Sequence, residues 1–273
     1  MEKEPIVNKY LKTLGFHKPI KNLEDITKLI QSHLSTFSFS SGKVLLKNKI
    51  SLELSDIYET IVKQKRGGYC FEHNKLLYEV LKELGFDVEF FLARVINNTN
   101  HEVPQTHRFT MLNFKDEKYI IDVGVGFHSP SIPVKFGNKI SKAHLNIGYT
   151  VETYEDNTLG MVKIENNEPY RVTQFDMNPC YETDFEMGHF YSHKHPSGIF
   201  VNNLVVSLIH ENEIRSLRNG NYFKIFEHSV EEIPIRNVKE LKSVLQNDLN
   251  TYFDDEEIKY LYMHYIQGKE SSL

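Results

Sequence analysis

The chain has two cysteines, and they stand in unlike settings. Cys70 closes the string Arg66-Gly67-Gly68-Tyr69-Cys70 and opens the run FEHNKLLYEVLKELG, whereas Cys180 lies in Pro-Cys-Tyr. Paired glycines allow a tight turn with positive φ. A helix beginning at Cys70 would turn its unpaired N–H groups and its positive dipole end toward the sulfur, which favours a thiolate. A thiolate attacks acyl carbon near neutral pH, and the same N–H groups can stabilise an oxyanion. A free cysteine is more often a small packing residue than a nucleophile. The Gly-Gly turn and the helix start move Cys70 toward the second class.

A nucleophile needs a base, and the base needs a group to orient it. Thirteen histidines are available, so position must select among them. His107 starts a strand-like run, THRFTMLNF, and the next run, KYIIDVGVG, ends in Asp122 followed by Gly124 and Gly126. A two-residue turn at Asp116-Glu117 would set residue 122 opposite 111, which puts His107 and Asp122 on one sheet face. That register leaves them four positions apart, roughly 13 Å. A direct contact then requires a shifted register, a bulge or strong twist.

Other residues offer weaker signals. His189, His193 and His195 have partial metal-ligand spacing but no matching further ligand, which favours a surface loop over a zinc site. No metal is expected. Gly124 and Gly126 form a Gly-x-Gly at a strand end, either a tight turn or a place where a ligand approaches the backbone. Tyr69 and Phe39 are core aromatics or pocket lining. Lys63, Lys65 and Arg66 read as a solvated basic run, with Arg66 a candidate partner for Glu72.

The elements that must position these groups follow from periodicity. Residues 22–35 and 52–64 and the run from Cys70 carry apolar stripes at helical spacing, and Gly85 is a natural stop. Segments 87–96, 106–114, 118–126 and 148–154 are rich in β-branched and aromatic residues. The β texture continues through 161–175 and 199–209, with a hairpin at Asn219-Gly220, and 238–265 is helical again. Strands and helices segregate along the chain, so the fold class is α+β.

At 273 residues the chain is long for one core, so fused modules are expected. A net charge of −5 gives no basic footprint for nucleic acid. The N-terminus has no apolar leader segment and no apolar run is long enough for a bilayer, so a cytoplasmic protein with free thiols is expected.

The motifs together resemble the arylamine N-acetyltransferase family. RGGYCFEHN (66–74) is similar to that family's nucleophile motif, VPQTHRFTML (103–112) to its histidine strand and YIIDVGVGFHSP (119–130) to its aspartate strand. Weaker similarity extends to LRNGNYF (217–223) and the helical tail. The resemblance implies a helical bundle over 1–86, a β-barrel over 87–197 and an α/β lid over 198–273. Cys70, His107 and Asp122 would then meet as a papain-like triad. It further implies ping-pong transfer of acetyl from acetyl-CoA, as co-substrate and not as resident cofactor, to an arylamine, arylhydrazine or N-hydroxyarylamine, a chemistry of xenobiotic metabolism. Phe39, Tyr69, Thr106, Gly124, Val125, Gly126 and Phe127 are the implied substrate or CoA contacts. Three departures bear on acceptor choice. Ser38-Phe39-Ser40-Ser41 replaces the family's proline-phenylalanine-glutamate-asparagine, Val125 replaces a phenylalanine, and Ser192-His193-Lys194-His195-Pro196 replaces a serine- and proline-rich stretch.

Two rivals stand beside this reading: a cysteine-dependent thioester hydrolase or amide synthase on the same scaffold, and a non-catalytic binding module. The acceptor, the acyl chain and the oligomeric state are left open. Limited iodoacetamide treatment of the folded protein, followed by peptide mapping, should label Cys70 ahead of Cys180. Preferential labelling of Cys180 would remove Cys70 as the nucleophile.

Overall fold

Apolar periodicity builds the first third of the chain as helices, and the computed structural model describes residues 4–99 and 102–267. Helix α1 (Ile6–Thr13) precedes α2 (Leu23–Thr36), which starts where the Asn22 side chain accepts the Asp25 N–H at 3.0 Å. It buries Ile26, Leu29, Ile30 and Leu34, as the spacing requires. A two-residue strand β1 (Phe39–Ser40), a short α3 (Gly42–Leu45) and α4 (Leu54–Ile57) follow. The helix expected over 52–64 is wound differently: after Ile57 it continues as a π-helical segment, Tyr58–Lys63. Helix α5 (Cys70–Glu83) begins at the cysteine, and Gly85 ends it with a φ of +86°.

A buried hydrogen-bond chain, not visible in the periodicity, ties these helices together. Tyr10 Oη donates to His33 Nδ1 at 2.8 Å, His33 Nε2 to His73 Nδ1 at 2.7 Å, and His73 Nε2 to the Ser38 carbonyl at 3.1 Å. The terminal carbonyl can only accept, so His73 Nε2 carries a proton; with both rings neutral, every proton then points the same way. Burial suits this form. It holds His33 well below the usual imidazole range and His73 at about 4.

The middle of the chain supplies β2 (Asp87–Val95), β3 (His107–Phe114), β4 (Glu117–Ile121), β5 (Val134–Lys135), β6 (Gly137–Lys142), β7 (Gly148–Thr153), β8 (Leu159–Glu165) and β9 (Glu168–Phe175). They form one eight-stranded antiparallel sheet in the order β5-β4-β3-β2-β9-β8-β7-β6. The sheet curls until Phe136, beside β5, bridges Val151 of β7, which makes a nearly closed barrel. Phe91, Phe109, Met111, Ile120 and Phe175 fill its interior and merge with the helical core.

Helix α6 (Glu182–Lys194) crosses the outside, occupying the histidine-rich stretch that reads as a surface loop in the sequence. The last third forms β10 (Val205–Ile209), β11 (Ile214–Arg218), β12 (Asn221–Ile225) and β13 (Val230–Pro234), then α7 (Val238–Ser243) and α8 (Asp255–Tyr265). The expected continuous helix over 238–265 is thus broken, with a π-helical segment at Val244–Asp248 and an irregular stretch before α8. Strand β1, from the first third of the chain, pairs with β10 and completes a five-stranded sheet.

The loop before Cys70 is fixed from two sides. Gly67 takes a φ of +67°, and a Cβ there would lie 2.6 Å from Ser40 Cβ, so the glycine is required both for its backbone angle and for space. Ser40 N–H donates to the Gly68 carbonyl at 2.6 Å, which hangs the loop on β1. On the other side Glu72 accepts the Tyr69 N–H at 3.3 Å and forms an ion pair with Lys43, both side chains being almost wholly buried. The expected Arg66–Glu72 pair does not form. Arg66 instead binds Glu257 of α8 with both terminal nitrogens, at 3.0 and 2.6 Å.

Removing one member of a buried ion pair strands the other charge, at a cost of about 3–5 kcal/mol. Lys43→Met should lower stability by that order in urea unfolding, and Lys43→Met with Glu72→Gln should recover most of the loss. A single variant with an unchanged midpoint would show that the pair does not hold the loop.

Candidate active site

The β3–β4 hairpin decides whether the histidine can meet the aspartate. Its turn is Lys115-Asp116, with φ of +50° and +60°, and Phe114 pairs with Glu117 and Thr110 with Ile121. This turn comes one residue earlier than Asp116-Glu117, and the register moves by two. Both registers put the same residues inward, so hydropathy cannot choose between them. Asp116 lies in the turn in both, so its tolerance of a positive φ does not choose either, and the structure takes the earlier turn with Lys115 and Asp116 both left-handed. Asp122 therefore projects opposite position 109, only two residues from His107. His107 Nε2 donates to Asp122 Oδ2 at 2.7 Å with no bulge.

Asp122 is almost wholly buried and accepts two further hydrogen bonds at Oδ1, from Asn74 Nδ2 and the Gly124 N–H, each at 2.9 Å. Asn74 stands one helical turn after Cys70 on α5, and its Oδ1 accepts the Val123 N–H at 2.9 Å. The helix that carries the sulfur thus grips the loop that carries the carboxylate. Gly124 makes that grip possible: a Cβ there would lie 2.8 Å from Cys70 Cα and 2.6 Å from Asn74 Nδ2. Its absent side chain is explained by helix-to-loop contact, without any ligand.

Cys70 acts on the same imidazole and raises its pKa, and its sulfur lies 3.6 Å from the Thr106 carbonyl. Burial by itself pushes the imidazole pKa down. The charge and hydrogen bond of Asp122, aided by Cys70, outweigh it and hold His107 up at about 10. Asp122 thus favours the protonated ring against its burial.

A cavity of about 600 Å³ opens above these groups. Cys70 and His107 lie in its wall with Phe39, Thr106, Gly124, Val125, Gly126 and Phe127. Tyr69 is not among them, nor is Phe37. Tyr69 points away from the cleft and its hydroxyl hydrogen-bonds with Nδ1 of His189 on α6, while Phe37 stacks on Tyr10 in the helical core. His189 is therefore a buried structural partner, with Nε2 on the Ile50 carbonyl at 3.2 Å and burial lowering its pKa to about 4. Among the described residues no three His, Cys, Asp or Glu side chains are grouped to hold a metal ion.

Sequence reasoning missed Asn74, although its i, i+4 relation to Cys70 was readable. It also missed Ile199, Phe200 and Val205, which reach the cleft from the start of the C-terminal sheet, and Tyr170 and Arg218. No local signal marks these. Cys180 lies before α6, partly exposed and outside the cavity wall, and burial raises its thiol pKa.

The family model described as N-acetyltransferase matches residues 22–258. The chain belongs to the arylamine N-acetyltransferase family. An arylamine N-acetyltransferase of Escherichia coli is 27% identical over 256 residues, covering 92% of this chain and 90% of that protein. One from Mycolicibacterium smegmatis is 28% identical, covering 78% and 79%. Among solved structures, the Salmonella typhimurium enzyme superposes with a TM-score of 0.88 at 23% identity, covering 96% of this chain and 99% of that one. The Mycobacterium marinum enzyme in complex with CoA gives 0.87 at 20%, covering 94% and 99%. At those identities the likeness is one of fold. Family members are acyltransferases, and the α+β architecture with its barrel is theirs. No described helix is long and apolar enough to cross a membrane.

Asp122→Asn should preserve the fold while cutting turnover by about 10⁴, since the amide favours the wrong imidazole tautomer. It also removes the largest influence that raises the His107 pKa while burial remains. Imidazole NMR should therefore show the pKa falling from about 10 to the ordinary range or below. Near-normal turnover, or an unmoved titration, would show that Asp122 does not orient the ring.

Proposed function

We propose that the chain transfers an acetyl group from acetyl-CoA to an arylamine, arylhydrazine or N-hydroxyarylamine through an acetyl-cysteine at Cys70. The observation that carries this reading is that Cys70 shares the wall of a largely apolar cleft with His107, an imidazole bonded to Asp122 at 2.7 Å.

The sulfur attacks the thioester carbonyl as a thiolate, with the His107 imidazolium as its counter-ion. When the tetrahedral intermediate collapses, the bond to the CoA sulfur breaks and His107 gives that sulfur its proton. The neutral imidazole then takes a proton from the incoming amine nitrogen as it attacks the acetyl-cysteine carbonyl. Collapse of this second intermediate breaks the carbon–sulfur bond and restores the thiolate–imidazolium pair. Asp122 stays ionised throughout and fixes Nε2 as the donor, which leaves Nδ1 for the chemistry. Acetyl-CoA enters as co-substrate and leaves as CoA, so no resident cofactor is needed. The CoA bound by the Mycobacterium marinum relative supports this choice of donor.

An acyl-enzyme that waits for an amine must keep water away. Phe39, Val125, Phe127 and Phe200 give the wall an apolar surface suited to a flat aromatic acceptor. The valine at 125, smaller than a phenylalanine, leaves room for bulkier ones. A cytoplasmic setting, where acetyl-CoA is made and thiols stay reduced, suits Cys70.

With acetyl-CoA alone, one acetyl group should appear on Cys70 by peptide mass mapping and CoA release should then slow. An arylamine or arylhydrazine should accelerate it strongly, and initial rates should give the parallel double-reciprocal lines of ping-pong kinetics. Fast CoA release that no amine changes would make the protein a thioester hydrolase.

A further inference from the structure

One wall of the cleft carries a cation that the reaction scheme leaves unused. Arg218 ends β11 and reaches the cavity from the C-terminal sheet. Its guanidinium lies 4.6 Å from the centre of the Phe127 ring, itself in the cavity wall, and 4.0 Å from that of Phe223. Contact with the two rings holds the cation in place without using its N–H donors.

Among the described residues those donors have no hydrogen-bond partner. Among the described residues no carboxylate makes an ion pair with Arg218, and its Nε is shut away from solvent with nothing to donate to. Glu232 acts on it only through space. Glu102, the one carboxylate in the wall, is exposed and forms no bond with it. The neighbouring His128 offers no negative charge. It stacks on Tyr170 and lies tilted against Phe127, its Nδ1 is also buried without a partner among the described residues, and burial, with the Lys163 and Arg218 charges, holds its pKa at about 3. A half-buried guanidinium with no bonded partner, in a wall made mostly of rings and aliphatic side chains, matches a planar oxyanion attached to something flat.

We propose that Arg218 is a specificity-determining residue that receives the ring carboxylate of an aromatic-amine acceptor and so makes acidic arylamines the preferred class. The amine nitrogen is then left to face Cys70, and the ring lies along Phe127. The inference rests on the transferase reading above. It concerns the acceptor, because a phosphate of CoA could satisfy the same cation, and the two half-reactions separate these sources.

The test compares 3- and 4-aminobenzoate with their ethyl esters, which keep the ring and its electron withdrawal but lose the charge. The wild-type protein should show a higher kcat/KM for at least one acid than for its ester. In Arg218→Gln the acid-to-ester ratio should fall roughly 10- to 100-fold, the range expected for a charge-assisted pair of hydrogen bonds, and Arg218→Lys should restore part of it. The CoA burst with acetyl-CoA alone reports whether each variant is folded and acetylates. A wild-type preference for the esters, or equal losses on acid and ester, would overturn the proposal. So would an unchanged ratio with a raised acetyl-CoA requirement for the burst, which would assign Arg218 to the donor's phosphates. If neither acid nor ester is acetylated and no arylhydrazine accelerates CoA release, the transferase reading fails by itself. Calorimetric titration with the aminobenzoates then decides, since binding lost in Arg218→Gln upholds the acidic-ligand site and no binding to wild type refutes it.

Discussion

Asp122 is a carboxylate with almost no access to water, and such a group is tolerated only when its lone pairs are occupied. Its partners are His107 from β3, Asn74 from α5 and the N–H of Gly124 from its own loop. Those partners belong to a helix and a sheet with different folding rules, so satisfying one charge docks the helical third of the chain against the barrel. The same contact places Cys70 beside the imidazole. Burial of the aspartate, closure of the helix on the barrel and assembly of the nucleophile's surroundings are therefore one event.

The glycines around the site serve that docking. Gly124 allows the loop to pass against Cys70 Cα, and Gly67 allows the turn before the helix to pass against Ser40. Each close approach has polar support nearby: Asn74 on the first, the Lys43–Glu72 pair and the Ser40-to-Gly68 hydrogen bond on the second. Tyr69 shows how far the support extends, since its hydroxyl meets His189 on α6, well along the chain. Stability and reactivity are coupled at this helix start, because the groups that fix the backbone also set which way the sulfur points.

The cleft above has a different origin. Its floor comes from the helix start and the two strands, but one wall comes from the C-terminal sheet, through Val205 and Arg218, and from Ile199 and Phe200 before it. That sheet is joined to the first third through β1, so the strand holding the nucleophile loop also aligns the wall that faces it. Chemistry and acceptor choice thus rest on separate parts of the chain. Acyl transfer needs three side chains held close together, while selection needs a surface shaped by whatever the last third places opposite.

The sequence by itself determined the helices that begin near Leu23 and at Cys70, the strands at His107 and before Asp122, and the shared sheet face of the last two. These follow from short-range physics: apolar spacing, glycine stops and the period-two alternation of a strand. It left the hairpin register undecided, because registers differing by two residues bury the same side chains, and only the turn's backbone conformation separates them. Helix α6 was hidden because its stripe is short and interrupted by histidines, which read as polar until Tyr69 and the Ile50 carbonyl come to meet them. The pairing of Glu72 with Lys43 and of Arg66 with Glu257 was hidden likewise. Burial, ion-pair choice and the cleft wall depend on residues distant in sequence arriving together. Only the tertiary structure decided them, since a local pattern carries no record of what will be packed across from it.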